Sequence, residues 1–242
     1  MAAEAQSKSK VVAVMQPYFA AYTGYYRLLA AADVFVIFDC VQFIRRGWVH
    51  RNQFPDARGD AGWLTLPLKH AAFDAPIRDL EFAPDAETRM AERMRAFPSL
   101  LRLNDDAARF LRPSAFRGDV VGYLEDQLTT ACDIFGFKTR LIRSSSLAVP
   151  PEFKAQHRVL EIARRVGATD YINAPSGVGL YDPELYRAQG VRLHFLEPFV
   201  GPYWSLLHRL AADPEACRAD IFAQTPDFRC RLKPAGSLKP AA

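Results

Sequence analysis

Apolar positions in this chain fall into short runs that alternate with longer periodic stretches. Val11-Val12-Ala13-Val14-Met15 is an apolar run of five, rich in β-branched residues, which reads as a buried strand. Tyr25–Ala32 reads as a helix with Gly24 near its start, and Val34–Phe38 as a second buried strand. Together they make a βαβ unit, which implies parallel pairing and a right-handed crossover.

The pattern continues to the C-terminus. Trp63–Leu68 alternates weakly and predicts a third strand, with Pro67 ending it or placing it at an edge. Ile77–Phe82 predicts a fourth. Asp85–Phe97, Asn104–Arg112 and Asp119–Phe135 read as helices; the last carries a helical apolar stripe, with Gly136 as its C-cap. Residues 85–136 are therefore expected to form a helical insertion or subdomain. Thr139–Arg143 follows as a strand, Ser144–Ser146 as a turn, and Phe153–Val166 as an amphipathic helix stopped by Gly167. Asp170–Asn173 is a strand running into the loop 174–179. Pro183–Ala188 is a short helix, Val191–Leu196 a strand, and Tyr203–Asp227 a helical tail broken at Pro214. Strands alternating with helices predict the α/β class: a mostly parallel sheet with flanking helices, Rossmann-like, over residues 11–242. Residues 1–10, rich in Ala, Ser and Lys, are expected to be a disordered lead-in.

Composition narrows the functional classes. The 242 residues suit one large domain, and half of them are hydrophobic. The net charge is +4, but the basic residues are dispersed. No nucleic-acid surface is expected, whereas anionic small molecules are compatible. The four cysteines, Cys40, Cys132, Cys217 and Cys230, form no C-x-x-C pair, so neither a zinc ribbon nor a redox dithiol is indicated. There is no apolar secretory core and no run of membrane-span length. The expectation is a soluble cytoplasmic protein with reduced thiols and no membrane attachment. No H-E-x-x-H or clustered ligand spacing appears, so neither a metal nor another cofactor is expected.

Candidate chemistry gathers where strands end, which is where ligands bind in open α/β sheets. The loop Gln16–Tyr25 offers Gln16, Tyr18 and Tyr25 to a ligand. An aromatic-lined structural turn explains it equally well. Its layout has the shape of a nucleotidylyltransferase loop, but Tyr22 and Tyr25 occupy the histidine positions and are not cationic near neutral pH. After the second strand come Asp39-Cys40-Val41-Gln42 and Trp48-Val49-His50-Arg51-Asn52. Arg51 suits a carboxylate or phosphate. Cys40 is a candidate nucleophile if a nearby His or Arg stabilises its thiolate, with His50 nearest in sequence. Burial as a small hydrophobe is the commoner role of such a cysteine. The third cluster, Ser176, Gly177 and Tyr181, also follows a strand, and a tight strand-to-helix turn is its plainer explanation. His208 lies on a helix with a strong apolar face.

These segments together resemble the WbqC-like family. The resemblance rests on Gln16-Pro17-Tyr18-Phe19 with Tyr22, Gly24 and Tyr25. It extends through Asp39, Val41-Gln42-Phe43, Trp48, Arg51-Asn52, Trp63–Leu68, Ser176, Gly177 and Tyr181. Three departures stand out: Ala20 or Ala21 replaces a second proline, Cys40 stands where a second Asp is expected, and His50 where Asn is usual. The resemblance implies a biosynthetic role in surface polysaccharides or specialised metabolites. The activity expected from it is acyl or aminoacyl transfer onto an amine of a sugar or related small molecule. The resemblance assigns no catalytic residues; on this chain's own residues, a covalent version has Cys40 carry a thioester, His50 or His208 move protons, and Asp39 orient the base or the amine. Gln42, Arg51 and Asn52 would bind a small-molecule substrate, such as a nucleotide sugar or a carrier-bound acyl group. Non-covalent binding of a nucleotide or nucleotide sugar is the alternative.

Overall fold

The computed structural model describes residues 9–111, 116–222 and 233–234. A central sheet contains β1 (Val11–Met15), β2 (Val34–Ile37), β5 (Arg140–Arg143), β6 (Asp170–Asn173) and β7 (Arg192–Phe195), all parallel. A short β8 (Lys233–Pro234) adds antiparallel to β7. The spatial order is β5-β2-β1-β6-β7-β8. Taken in chain order, the parallel strands lie third, second, first, fourth, fifth, the arrangement of a doubly wound sheet. The order reverses between β1 and β6.

The strands read as apolar runs because both faces are covered. Side chains alternate across the pleat. Val11, Ala13, Phe35, Ile37 and Ile172 face one core, while Val12, Val14, Val34, Val36 and Tyr171 face the other. Helix α1 (Thr23–Ala31) packs in the first core. With it lie α3 (Asp105–Leu111), α4 (Val120–Phe135), α7 (Leu206–Ala212) and α8 (Pro214–Phe222). Helices α5 (Ala155–Arg165) and α6 (Pro183–Ala188) cover the opposite face. The helices of the 85–136 region, α2 (Ala86–Met94) among them, thus share the core that covers β1 and α1.

Several expectations are revised. Trp63–Leu68 does not join the main sheet. β4 (Ala61–Thr65) pairs antiparallel with β3 (Arg51–Pro55) in a separate hairpin. Ile77–Phe82 is not a strand: Ile77–Asp79 forms a 3-10 turn, and Phe82 makes a single bridge to Leu68. Apolar residues at Ile77, Leu80 and Phe82 suit a buried turn as well as a strand, which is why the pattern misled. Ser9 and Lys10 do not belong to a disordered lead-in. The Ser9 hydroxyl donates to Asp170 at 2.7 Å and the Lys10 amide to the Thr169 hydroxyl at 2.7 Å. The tail helix beyond Phe222, with Asp227 and Cys230, lies outside the described residues.

Candidate active site

The carboxyl ends of β2 and β5 are tied together by Asp39. Its side chain is fully buried. It accepts from the Ser144 hydroxyl at 2.8 Å, the Ser145 amide at 2.8 Å and the Ser145 hydroxyl at 2.6 Å. Ser144 and Ser145 open a 3-10 turn, Ser144–Leu147, directly after β5. The main chain around Asp39 is held as well: the amides of Asp39 and Cys40 point to the Ser144 oxygen at 3.1 and 3.3 Å, and the Arg78 amide donates to the Asp39 carbonyl at 2.9 Å. A buried carboxylate is tolerated only when hydrogen-bonded in this way.

Cys40 sits on this platform, half-buried, and is a free thiol, as are Cys132 and Cys217. Its sulfur lies 3.1 Å from the Ser144 oxygen. The Arg158 guanidinium on α5 approaches the same sulfur with two nitrogens, at 3.3 and 3.4 Å. Carbonyls of Val149, Pro150 and Phe153 hold that guanidinium in place. A serine hydroxyl has one proton. Ser144 can place it on Asp39 or on the Cys40 sulfur, while its oxygen accepts from the two amides. Asp39 and Cys40 are therefore linked through one Ser144 hydroxyl, beside a fixed cation.

Two cavities adjoin at Arg158, and one of them has Cys40 in its wall. One, of about 770 Å³, includes Cys40, Gln42, Arg78, Lys154 and Arg158 in its wall. The other, of about 270 Å³, is more apolar and is lined by Phe38, Val41, Val159, Leu180 and Tyr181. Arg158, Val41 and Ala155 belong to both walls.

The structure separates the other candidate residues. Gln42 lines the larger cavity, and its amide donates to the Phe73 carbonyl at 2.9 Å. Tyr181 lines the smaller one and its hydroxyl accepts from Asn173 at 2.8 Å. Gly177 is buried beneath it, where an added Cβ would sit 3.2 Å from the Tyr181 ring; Ser176 is exposed. His50 is not among the partners of Cys40. It lines a different cavity, edge-on to Phe43 at 5.0 Å, with its Nδ1 buried and unpartnered. Burial, with Arg51 and Arg93 nearby, pushes its imidazole down to about 4. His208 lies on α7, its Nδ1 likewise buried without a partner, and burial lowers its pKa too.

The loop after β1 is a locked turn. Ala20 has φ of 41°, unusual for a residue with a Cβ. Asn52 clamps it by donating to the Phe19 carbonyl at 3.0 Å and the Ala20 carbonyl at 2.9 Å. Ser205 donates to the same Ala20 carbonyl at 2.6 Å, and the Ala20 amide donates to Gln127 at 3.0 Å. Tyr25 is buried between the rings of Tyr18, Tyr26 and Phe35, and its hydroxyl donates to the Gln16 carbonyl at 2.9 Å. Asn52 and Tyr25, expected to bind substrate, have their polar atoms engaged in the fold. Arg51 stacks on Trp63, 4.0 Å from the ring centroid.

Ser144 and Arg158 escaped the sequence reading. Ser144 carries a signal, since it follows a strand as Asp39 does and opens the expected turn. Arg158 carried none, since nothing local marks one arginine on an amphipathic helix as facing a thiol. Among the described residues, no group of three or more His, Cys, Asp or Glu is placed to hold a metal ion, and no helix is long and apolar enough to cross a membrane.

Comparison with known proteins agrees with the motifs around this site. The chain is 26% identical over 201 residues to the uncharacterized protein Rv1507c of Mycobacterium tuberculosis, covering 78% of this chain and 82% of that one. No solved structure matches. The description of the WbqC-like protein family matches residues 16–208, from the loop after β1 to the middle of α7, and the chain belongs to that family.

Proposed function

We propose that the protein is a biosynthetic transferase that forms an amide on an amine of a sugar or other small molecule, through a thioester at Cys40. The observation that carries this reading is the contact of the Cys40 sulfur with both Ser144 and Arg158, on the wall of the larger cavity and beside an arginine that also borders the apolar one.

In the first step the thiol proton passes to Ser144 while the Ser144 proton passes to Asp39. The thiolate that forms is compensated by Arg158. The sulfur attacks the acyl carbon of an activated donor, a C–S bond forms, and the leaving group departs with its electron pair. In the second step the amine attacks the thioester carbonyl, a C–N bond forms, and the sulfur leaves with the C–S pair. The proton held on Asp39 returns through Ser144 to the departing sulfur, and the proton shed by the amine passes to the anionic leaving group released in the first step. Arg78 and Lys154 supply positive charge for an anionic part of the donor or acceptor, and the apolar cavity receives an acyl chain.

Intact-protein mass spectrometry with carrier-bound and nucleotide-activated acyl donors tests this. An adduct is expected on the native chain, absent in Cys40→Ala and slowed by about tenfold or more in Arg158→Ala. A native chain that never gains mass, or one that keeps its adduct in Cys40→Ala, overturns the thioester. A second reading, non-covalent binding of a nucleotide sugar, is favoured by the three cations on the larger cavity. Under it, nucleotide sugars would raise the melting temperature of Cys40→Ala as much as that of the native chain.

A further inference from the structure

A second concave surface has Phe43 in its wall, next in sequence to the Cys40–Gln42 segment that lines the larger cavity. This cavity, of about 330 Å³, has Arg45, Arg46, Lys69, Arg89 and Arg93 in its wall and no carboxylate. Thr65, His50 and His70 complete its polar lining. It shares no wall residue with either cavity at Cys40.

The charges there are only partly compensated. Lys69 pairs with Glu81 at 2.5 Å and Arg89 with Asp85 at 3.5 Å, both at exposed positions. Arg45, Arg46 and Arg93 make no ion pair among the described residues. Arg45 instead donates to the Ala71 carbonyl at 2.7 Å and Arg93 to the Thr65 carbonyl at 2.5 Å, which fixes both guanidiniums at the wall. Arg46 stands in the left-handed region, φ 66°, and its carbonyl accepts from Arg51. Strained backbone of this kind persists only where surrounding contacts hold it. Like charges in one concavity repel, and a wall of one sign concentrates anions. Burial, with Arg51 and Arg93 nearby, lowers the His50 imidazole to about 4, so it adds no charge to this wall near neutral pH.

We infer that this cavity is a binding site for a diphosphate group, distinct from the Cys40 site. Four arginine forks and one ammonium in about 330 Å³ match a compact anion with many oxygens. A monocarboxylate would leave most of those donors unused, and the concavity favours a small ligand over a flat macromolecular surface.

Isothermal titration of the full chain with inorganic pyrophosphate, ADP and inorganic phosphate tests the inference. Pyrophosphate and ADP are expected to bind at least about tenfold more tightly than phosphate, and more weakly as salt is raised. Arg45→Ala/Arg46→Ala, both exposed positions, should weaken pyrophosphate binding by about tenfold or more with an unchanged circular dichroism spectrum. Arg187→Ala, a cation remote from the cavity, should leave it unchanged. Pyrophosphate binding no tighter than phosphate, or insensitive to the double variant, overturns the inference. So does binding that is lost in Arg158→Ala and kept in the double variant, because the anion would then sit beside Cys40. Acylation of Cys40, read by mass, is a separate result.

Discussion

Asn52 shows how a motif residue can serve the fold while resembling a ligand. Its amide nitrogen gives both protons to carbonyls of the Phe19–Ala20 turn, and that turn holds Ala20 at positive φ. Asn52→Ala removes two buried hydrogen bonds and is expected to cost about 2–3 kcal/mol. Asn52→Asp should cost more, because it turns a carboxylate toward two carbonyl oxygens. Urea denaturation measures both, and a variant as stable as the native chain would refute the clamp. Position 40 separates chemistry from structure in a similar way. Cys40→Asp keeps a partner for Arg158 but has no sulfur. It is expected to fold with native stability and to give no acyl adduct; an adduct in that variant would remove Cys40 from the mechanism.

At the level of elements, helix ends and strand ends do the positioning. α4 stops at Gly136, whose φ of 75° closes the helix with its amide on the Cys132 carbonyl. A Cβ there would meet nothing within 4 Å, so the cost of Gly136→Ala is purely conformational. It should be about 1 kcal/mol, with Gly136→Asn costing less. Equal stability of all three chains in denaturant would contradict this. Asp39 joins the ends of β2 and β5, and Asp39→Ala orphans the donors of Ser144 and Ser145. A loss of about 3 kcal/mol is expected. Slower alkylation of Cys40 by iodoacetamide should accompany it, since the proton chain and the platform go together.

For the whole molecule, the cationic cavity makes stability depend on pH. Burial and the nearby Arg51 and Arg93 hold the His50 imidazole at about 4 in the folded chain. The unfolded chain takes up this proton as pH falls through about 6.5. Unfolding therefore gains protons in that window, and stability is complete above it and declines toward about pH 4. His208, lowered by burial and by Arg209, acts in the same direction. The decline from His50 is on the order of 1–2 kcal/mol once solvent screening is included. His50→Phe keeps a ring against Phe43 and should flatten the fall in denaturation midpoint between neutral pH and about pH 5. A slope identical to that of the native chain would show that His50 is not responsible.

The local pattern carried the architecture as far as local forces act. Runs such as Val11–Met15 and Val34–Phe38 marked strands buried on both faces, and Gly136 marked a helix end, because burial and backbone freedom are properties of short segments. Those strands also placed Asp39 and Cys40 at the carboxyl end of a strand, where a site belongs, and the motifs around them identified the family. Pairing decided the remainder. Nothing local distinguishes a strand of the main sheet from Ala61–Thr65 in a separate hairpin, or a strand from the buried turn at Ile77–Asp79. Asn52 is a fold clamp and Arg51 a ring-stacked cation because tertiary packing spent their donors and charge elsewhere. Sequence proximity nominated His50 as the partner of Cys40. The crossover from β5 through α5 to β6 instead brought Ser144 and Arg158, more than a hundred residues away, to the sulfur. A side chain's chemistry is written in its identity; its partner is set by which chain segments the sheet order brings together.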